Sequence, residues 1–405
     1  MKRSGYADLP LHYGRVPEWL AERMCRLGGA LMEILAEEYG SAEILRRLCD
    51  PLWFQSLGCV LGMDWHSSGI TTSVMGALKK ALRRLSRPLG LYICGGRGSH
   101  SRNTPAEILA IADRRALPGE DLVRCSRLTA KIDNTALQDG FQIYLHCFLF
   151  TDKGEWAVVQ QGLRDATGTA RRYHWYSGDI ESFFHDPHTG ICGQSQGLIL
   201  NLADRRAEEA RTRMRELTRF HPDENLQELR RILMPARHDV RRSDLDLKRL
   251  GAVLAAAYER EIPGFEDLLL LQGLGPRTLQ SLALISEVLH GTPTRFEDPA
   301  RFSFAHGGKD GHPFPVPLKV YDETIDFLDK TLRKARLERS ERLGALKNLH
   351  SLTLRLEQEA APMAHFDELM RKERRESPRY GGKTVFDEPS NKGLRRERQL
   401  SLFPD

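Results

Sequence analysis

Two apolar runs, FQIYLHCFLF (141–150) and EWAVVQQG (155–162), stand on either side of the turn sequence TDKG. This pattern constrains the chain more than any other. Strands so close in sequence, joined by a glycine-bearing turn, pair as an antiparallel hairpin. RRYHWY (171–176) fits a third strand of that sheet. LGLYICGG (89–96) is short, apolar and ends on glycines, which suits a buried strand. LGCVLGMDW (57–65) reads as a further strand leading into a helix over TTSVMGALKKAL, with Thr71 or Thr72 as its cap. Upstream, Leu20, Met24, Leu27, Leu31, Ile34 and Leu35 recur at three- and four-residue steps, which predicts one helix over Glu18–Cys49. Residues 1–200 are therefore expected to form a mixed α/β domain.

Beyond residue 200 aromatic residues thin out and charge rises. NLADRRAEEARTRMRELTR reads as a helix with a solvated face, and more helices are expected over 261–345, interrupted by the loop FAHGGKDGHPFPVP (304–317). A charged helix is expected over 346–375. Residues 201–375 thus read as a helical domain and 376–405 as a flexible tail, with 377–398 almost free of apolar residues and expected to be a disordered linker. The whole is an α+β chain with no internal repeat.

The chain has 405 residues, enough for two or three domains at about 150 residues each. Its apolar runs fall short of the roughly 18 residues that span a bilayer, so a membrane-spanning protein is not expected. The start, MKRSGYADLPLHYGR, lacks the apolar core of a secretory signal. Seven cysteines, odd in number and without a CxxC pair, argue against a disulfide framework or a four-cysteine zinc site and for a reducing cytosol. A net charge of +5 permits a polyanionic partner without requiring one.

Two short motifs point to such a partner. In PGFEDLLLLQGLGPRTLQSLALISEVLHG (263–291), Leu271-Gln272-Gly273-Leu274-Gly275 separates two helix-like stretches, the glycines allow a tight hairpin, and Pro276 suits a first helical turn. The amides of such a turn are donors at the positive end of a helix dipole and can hold a phosphate. The segment resembles the helix-hairpin-helix motif, which implies contact with the DNA backbone through Gly273, Gly275, Arg277 and Thr278. The alternative is an ordinary αα-hairpin. At the C-terminus, Gln399-Leu400-Ser401-Leu402-Phe403 resembles the pentapeptide by which bacterial repair and replication proteins dock on the sliding clamp. A polar tail costs little to present, Leu402 and Phe403 can enter an apolar pocket, and Gln399 can bond at its rim. The alternative is a segment folded back on its own body.

Over most of 1–375 the segments DWHSSGITT, AKIDNTALQDG, EWAVVQQG, RRYHW and FAHGGKDGHPFPV resemble a bacterial and archaeal family catalogued only as a domain of unknown function. The resemblance implies no activity.

Chemistry is expected where polar residues gather at strand ends and loops, namely at Asp64 and His66, at Lys131, Asp133 and Asp139, and at Gln160. One reading is a metal-dependent DNA nuclease. Asp64, Asp133 and Asp139 would hold Mg²⁺ or Mn²⁺, which orients water and stabilises phosphate charge, with Lys131 or Arg171 assisting. No established nuclease signature fixes these roles, and each carboxylate also suits a cap or a salt bridge. A second reading is a helix-hairpin-helix DNA glycosylase, in which Asp298 or Asp310 acts after the base is flipped out. Arg277 stands where lyase members of that superfamily carry lysine. A third is a DNA-binding adaptor tethered to the clamp. HDPH (185–188) reads as a turn rather than a zinc site, Gly95-Gly96-Arg97-Gly98 is not a nucleotide-binding loop, and Gly193–Gly197 is a poor nucleophile elbow. All three readings place the protein in the cytoplasm on the nucleoid, away from membranes.

Overall fold

A computed structural model describes residues 9–10, 16, 18–63, 69–232, 247–300, 318–335 and 339–359. A short strand β1 (Leu9–Pro10) precedes helices α1 (Glu18–Tyr39), α2 (Ser41–Leu48), α3 (Pro51–Val60) and α4 (Gly69–Leu89). Strand β2 (Leu91–Arg97) leads to α5 (Ser99–Arg102), α6 (Thr104–Arg115) and α7 (Gly119–Lys131), and α7 runs on into a π-helical turn, Ile132–Ala136. Three long strands follow: β3 (Gln142–Thr151), β4 (Trp156–Arg164) and β5 (Thr169–Tyr176). After β6 (Gly190–Cys192) and β7 (Leu198–Leu200) come α8 (Glu208–Leu217), α9 (Pro222–Ile232), α10 (Leu247–Glu259), α11 (Phe265–Leu270) and α12 (Pro276–His290). Strand β8 (Arg295–Glu297) and helices α13 (Leu318–Lys334) and α14 (Arg339–Glu359) complete the described chain.

The strands pair antiparallel in the order β1-β5-β4-β3-β2, with β6 alongside β5, and β7 pairs separately with β8. The expected hairpin and its third strand are the centre of this sheet. Successive side chains of a strand point to opposite faces, and here both faces are covered. Leu145, Cys147 and Leu149 pack with α1–α4, where Phe327, Leu328 and Leu332 of α13 join them. Phe148, Phe150 and Val158 face the other way, against α6, α7, α8 and α10–α12. Double coverage explains why the strands read as near-continuous apolar runs. It also means that helices beyond residue 200 complete both cores. The protein is mixed α and β, mostly helical, built on an antiparallel sheet.

Several expectations need correction. Residues 57–60, expected to open a strand, are the last turn of helix α3. All ten residues of α3 are buried, so the helix has no polar face and its sequence carries no helical period. Its start is nevertheless well specified. Asp50 caps it by accepting from the amides of Leu52 (2.8 Å) and Trp53 (3.0 Å), and Pro51 opens the first turn. The single helix over Glu18–Cys49 is two, because Gly40 sits at φ +84° and breaks the helical path after Tyr39. Helix α4 begins at Gly69, so Thr71 and Thr72 lie in its first turn and are not caps. Residues 201–207, expected to be helical, form a loop and one 3₁₀ turn before α8. The last charged helix starts at Arg339. Asp310, the 304–317 loop, the 377–398 linker and Gln399–Phe403 lie outside the described residues.

Candidate functional site

A chain of buried polar side chains crosses the sheet face that turns toward α7 and α12. Strand register assembles its middle, with His146 of β3, Gln160 of β4 and Tyr173 of β5 as direct neighbours. Polar residues at these positions interrupt runs that are otherwise apolar, and buried polar groups need partners. His146 Nδ1 lies 2.7 Å from Gln160 Oε1, and its Nε2 lies 2.9 Å from Ser126 Oγ on α7. Gln160 donates from Nε2 to Thr129 O at 3.1 Å and to Asp133 Oδ2. Asp133, fully buried in the π-helical turn, also accepts from Trp175 Nε1 at 2.8 Å and pairs with His188 Nε2 at 2.5 Å. The His188 ring lies over Trp175, with centroids 4.2 Å apart.

Tyr173 carries the chain onward by donating to Asp139 Oδ2 at 2.7 Å. Asp139 accepts from the Phe141 amide at 3.0 Å and from Arg171 at 2.8 Å. Arg171 turns its other side to Asp298, at 3.0 and 2.7 Å, and Asp298 accepts from the amides of Gln196 (2.7 Å) and Ala300 (3.0 Å). The side chains of Asp139, Arg171 and Asp298 have no solvent-exposed surface. One guanidinium thus faces two carboxylates out of water and ties the β5 strand to the end of β8.

Burial and charge set the protonation of this belt. Desolvation pushes the Asp139 carboxyl above its ordinary range, although Arg171 and the Tyr173 and Phe141 hydrogen bonds oppose the shift. Burial works against the Arg171 charge too, but Asp139 and Asp298 outweigh it and raise its pKa. His146 is held below the ordinary imidazole range by burial, partly offset by Gln160, and stays neutral. On the opposite face, burial and the neighbouring Arg172 push His174 well below that range.

The predicted site residues that are described fall in three separate places. Asp133 and Gln160 meet in one hydrogen bond. Asp139 belongs to the Arg171 cluster, and Asp298, named for the glycosylase reading, belongs there with it. Asp64 and His66 lie outside the described residues. Each oxygen of Asp133, Asp139 and Asp298 accepts from, or pairs with, a donor of the protein. Among the described residues, no three His, Cys, Asp or Glu side chains gather into a group that could hold a metal ion. Trp175 and Tyr173 were not singled out from the sequence, and His188 was read there as the end of a turn. The usable signal was polar residues, His146, Gln160 and Gln161, standing within otherwise apolar strand runs.

Lys131 points elsewhere. Its Nζ donates to Leu274 O at 2.7 Å, and Gln138 Nε2 donates to Pro276 O at 2.9 Å. Both hold the turn between α11 and α12. In that turn Gly273 is exposed at φ +89°, while Gly275, at φ −126° and ψ 178°, is extended and precedes α12. Positive φ is therefore needed at Gly273 only. Pro276 opens α12, no side chain caps it, Arg277 is exposed and Thr278 is buried. Arg124 of α7 pairs with Asp267 and Glu266 of α11, each at 2.8 Å, so α7 grips the turn from two directions.

An antiparallel sheet sheathed on both faces, crossed by a buried polar belt and bracing the α11–α12 turn, defines a mixed α/β protein whose polar centre is built into the body. The chain belongs to the protein family of unknown function DUF763, whose model matches residues 5–316. That span includes the belt and the α11–α12 turn. No curated protein and no solved structure matches the chain. Among the described residues no helix is long and apolar enough to cross a membrane.

Proposed function

We propose that this protein is a DNA-associated binding protein that docks on the phosphate backbone through the α11–α12 turn as a helix-hairpin-helix, and that Gln399–Phe403 tethers it to a bacterial sliding clamp. The observation that carries the reading is the turn itself. Gly273, Pro276 and Arg277 are exposed at the start of a 15-residue helix whose first-turn amides have no side-chain cap. Such amides favour an anion, and a neighbouring guanidinium adds charge and hydrogen bonds. The contact reads charge and shape rather than base sequence. A clamp tether then raises the local concentration of a weak, salt-sensitive contact.

The adaptor reading is favoured over the nuclease and the glycosylase because Asp133, Asp139 and Asp298 spend their oxygens on buried donors. A Mg²⁺ or Mn²⁺ site or a catalytic aspartate at these positions requires those donors to let go.

The test is fluorescence anisotropy on a labelled duplex over a salt series. Binding is expected to weaken with salt, and Arg277→Gln is expected to lower the slope of log K against log salt by about 0.9, one phosphate contact. In a separate arm, deleting 399–403 is expected to abolish binding to purified sliding clamp and leave duplex binding unchanged. Salt-independent binding, or an unaltered slope in Arg277→Gln, refutes the docking reading. Clamp binding that survives the deletion refutes the tether.

A further inference from the structure

We propose that Lys131 and Gln138 are positioning residues for DNA docking, presetting the α11–α12 turn by drawing its carbonyls inward. The inference rests on the docking reading above. Lys131 is the last residue of α7, and Gln138 follows the π-helical turn by two residues. They take Leu274 O and Pro276 O at 2.7 and 2.9 Å. A trans peptide sets its C=O and the following N–H on opposite sides of the plane. With Leu274 O held toward Lys131 of α7, the Gly275 N–H is directed away from that tether. The Arg277 N–H follows the second tethered carbonyl and belongs to the first turn of α12, where amides have no helical partner. Both N–H groups are thereby turned away from their tethers, in the same short stretch as the exposed Arg277.

The platform doing this is anchored. Between Lys131 and Gln138 lies Asp133, with no exposed surface, fixed by Trp175 (2.8 Å), by His188 (2.5 Å) and by Gln160. The same short segment plugs into the polar belt at its centre and holds the turn at both ends. A π-helical insertion is an uncommon way to end a helix and often marks a functional position. Here it carries Asp133 inward while Lys131 and Gln138 reach the turn. Lys131, expected from the sequence to assist catalysis, instead shapes a surface.

A positioning residue and a phosphate contact differ in their salt response. Lys131→Met and Gln138→Leu are each expected to bind duplex DNA roughly tenfold more weakly, the scale of re-ordering about one backbone residue, with an unchanged salt slope. Lys131→Arg is expected to restore affinity. Thermal melts without DNA separate this loss from unfolding, and Gln138→Leu tests the same idea at a second position. Wild-type affinity in both variants, with Arg277→Gln weakened, overturns the inference and leaves the docking reading standing. A slope lowered by about 0.9 in Lys131→Met makes Lys131 itself a phosphate contact and also overturns it. If Arg277→Gln binds like wild type, the docking reading falls and this inference with it.

Discussion

Replacing Asp298 by alanine probes the most concentrated charge in the fold. The change removes both of its bonds to Arg171, at 3.0 and 2.7 Å, and the acceptor for the amides of Gln196 and Ala300. Removing one partner of a buried ion pair costs about 3–5 kcal/mol, because the remaining charge stays out of water. Here Asp139 still faces Arg171 at 2.8 Å, so the guanidinium is not abandoned and the cost should lie near the lower end, about 3 kcal/mol. Most of it comes from the lost bidentate geometry and the two stranded amides, at about 1 kcal/mol or more each. Asp298→Asn keeps an acceptor for one amide and should cost less, about 1–2 kcal/mol. The decisive measurement is a double-mutant cycle by urea denaturation at neutral pH, with Asp139→Asn as the second change. Each single variant leaves Arg171 one carboxylate, and the double variant leaves none. The double loss should therefore exceed the sum of the singles by at least about 1 kcal/mol. Strict additivity, or a loss under about 1 kcal/mol for Asp298→Ala, would refute the shared-guanidinium account.

Three further outcomes can be checked. His146 and His174 are held below the ordinary imidazole range in the folded state, so the unfolded chain binds their protons first and stability falls as pH drops below about 6.5, by about 1.4 kcal/mol per pH unit for each histidine; denaturation midpoints at pH 7.5 and 5.5 measure it, and His146→Gln should lose one share of the slope. Gly273→Ala should cost about 1–2 kcal/mol, since φ is +89° there, whereas Gly275→Ala carries no dihedral penalty at φ −126°; paired thermal melts distinguish them. Phe148→Ala, at a fully buried position of the central strand, should cost about 3–5 kcal/mol in the same assay.

The sheet was legible because its three central strands are neighbours in sequence and their turns carry glycine. Local pairing with short loops leaves little else for such runs to do. The α11–α12 turn was legible for a similar reason, since Gly273 and Pro276 write backbone conformation directly into the sequence. Helix α3 was not, because a helix buried on every side loses the polar face that reveals its period. The break at Gly40 was hidden by apolar spacing that continues through it.

What the sequence could not decide is which polar groups meet. Asp139, Arg171 and Asp298 lie 32 and 127 residues apart along the chain from the arginine, and only the packing of β8 against β7 brings the third to the first two. Asp133 and Lys131, two residues apart and first grouped together, point to different tasks because the π-helical turn carries one into the core and leaves the other at the surface. Residue type and spacing set the strands, the helices and the turn. Burial, which is a property of the assembled whole, decided which carboxylates are spent on internal donors and which groups of the α11–α12 turn stay exposed.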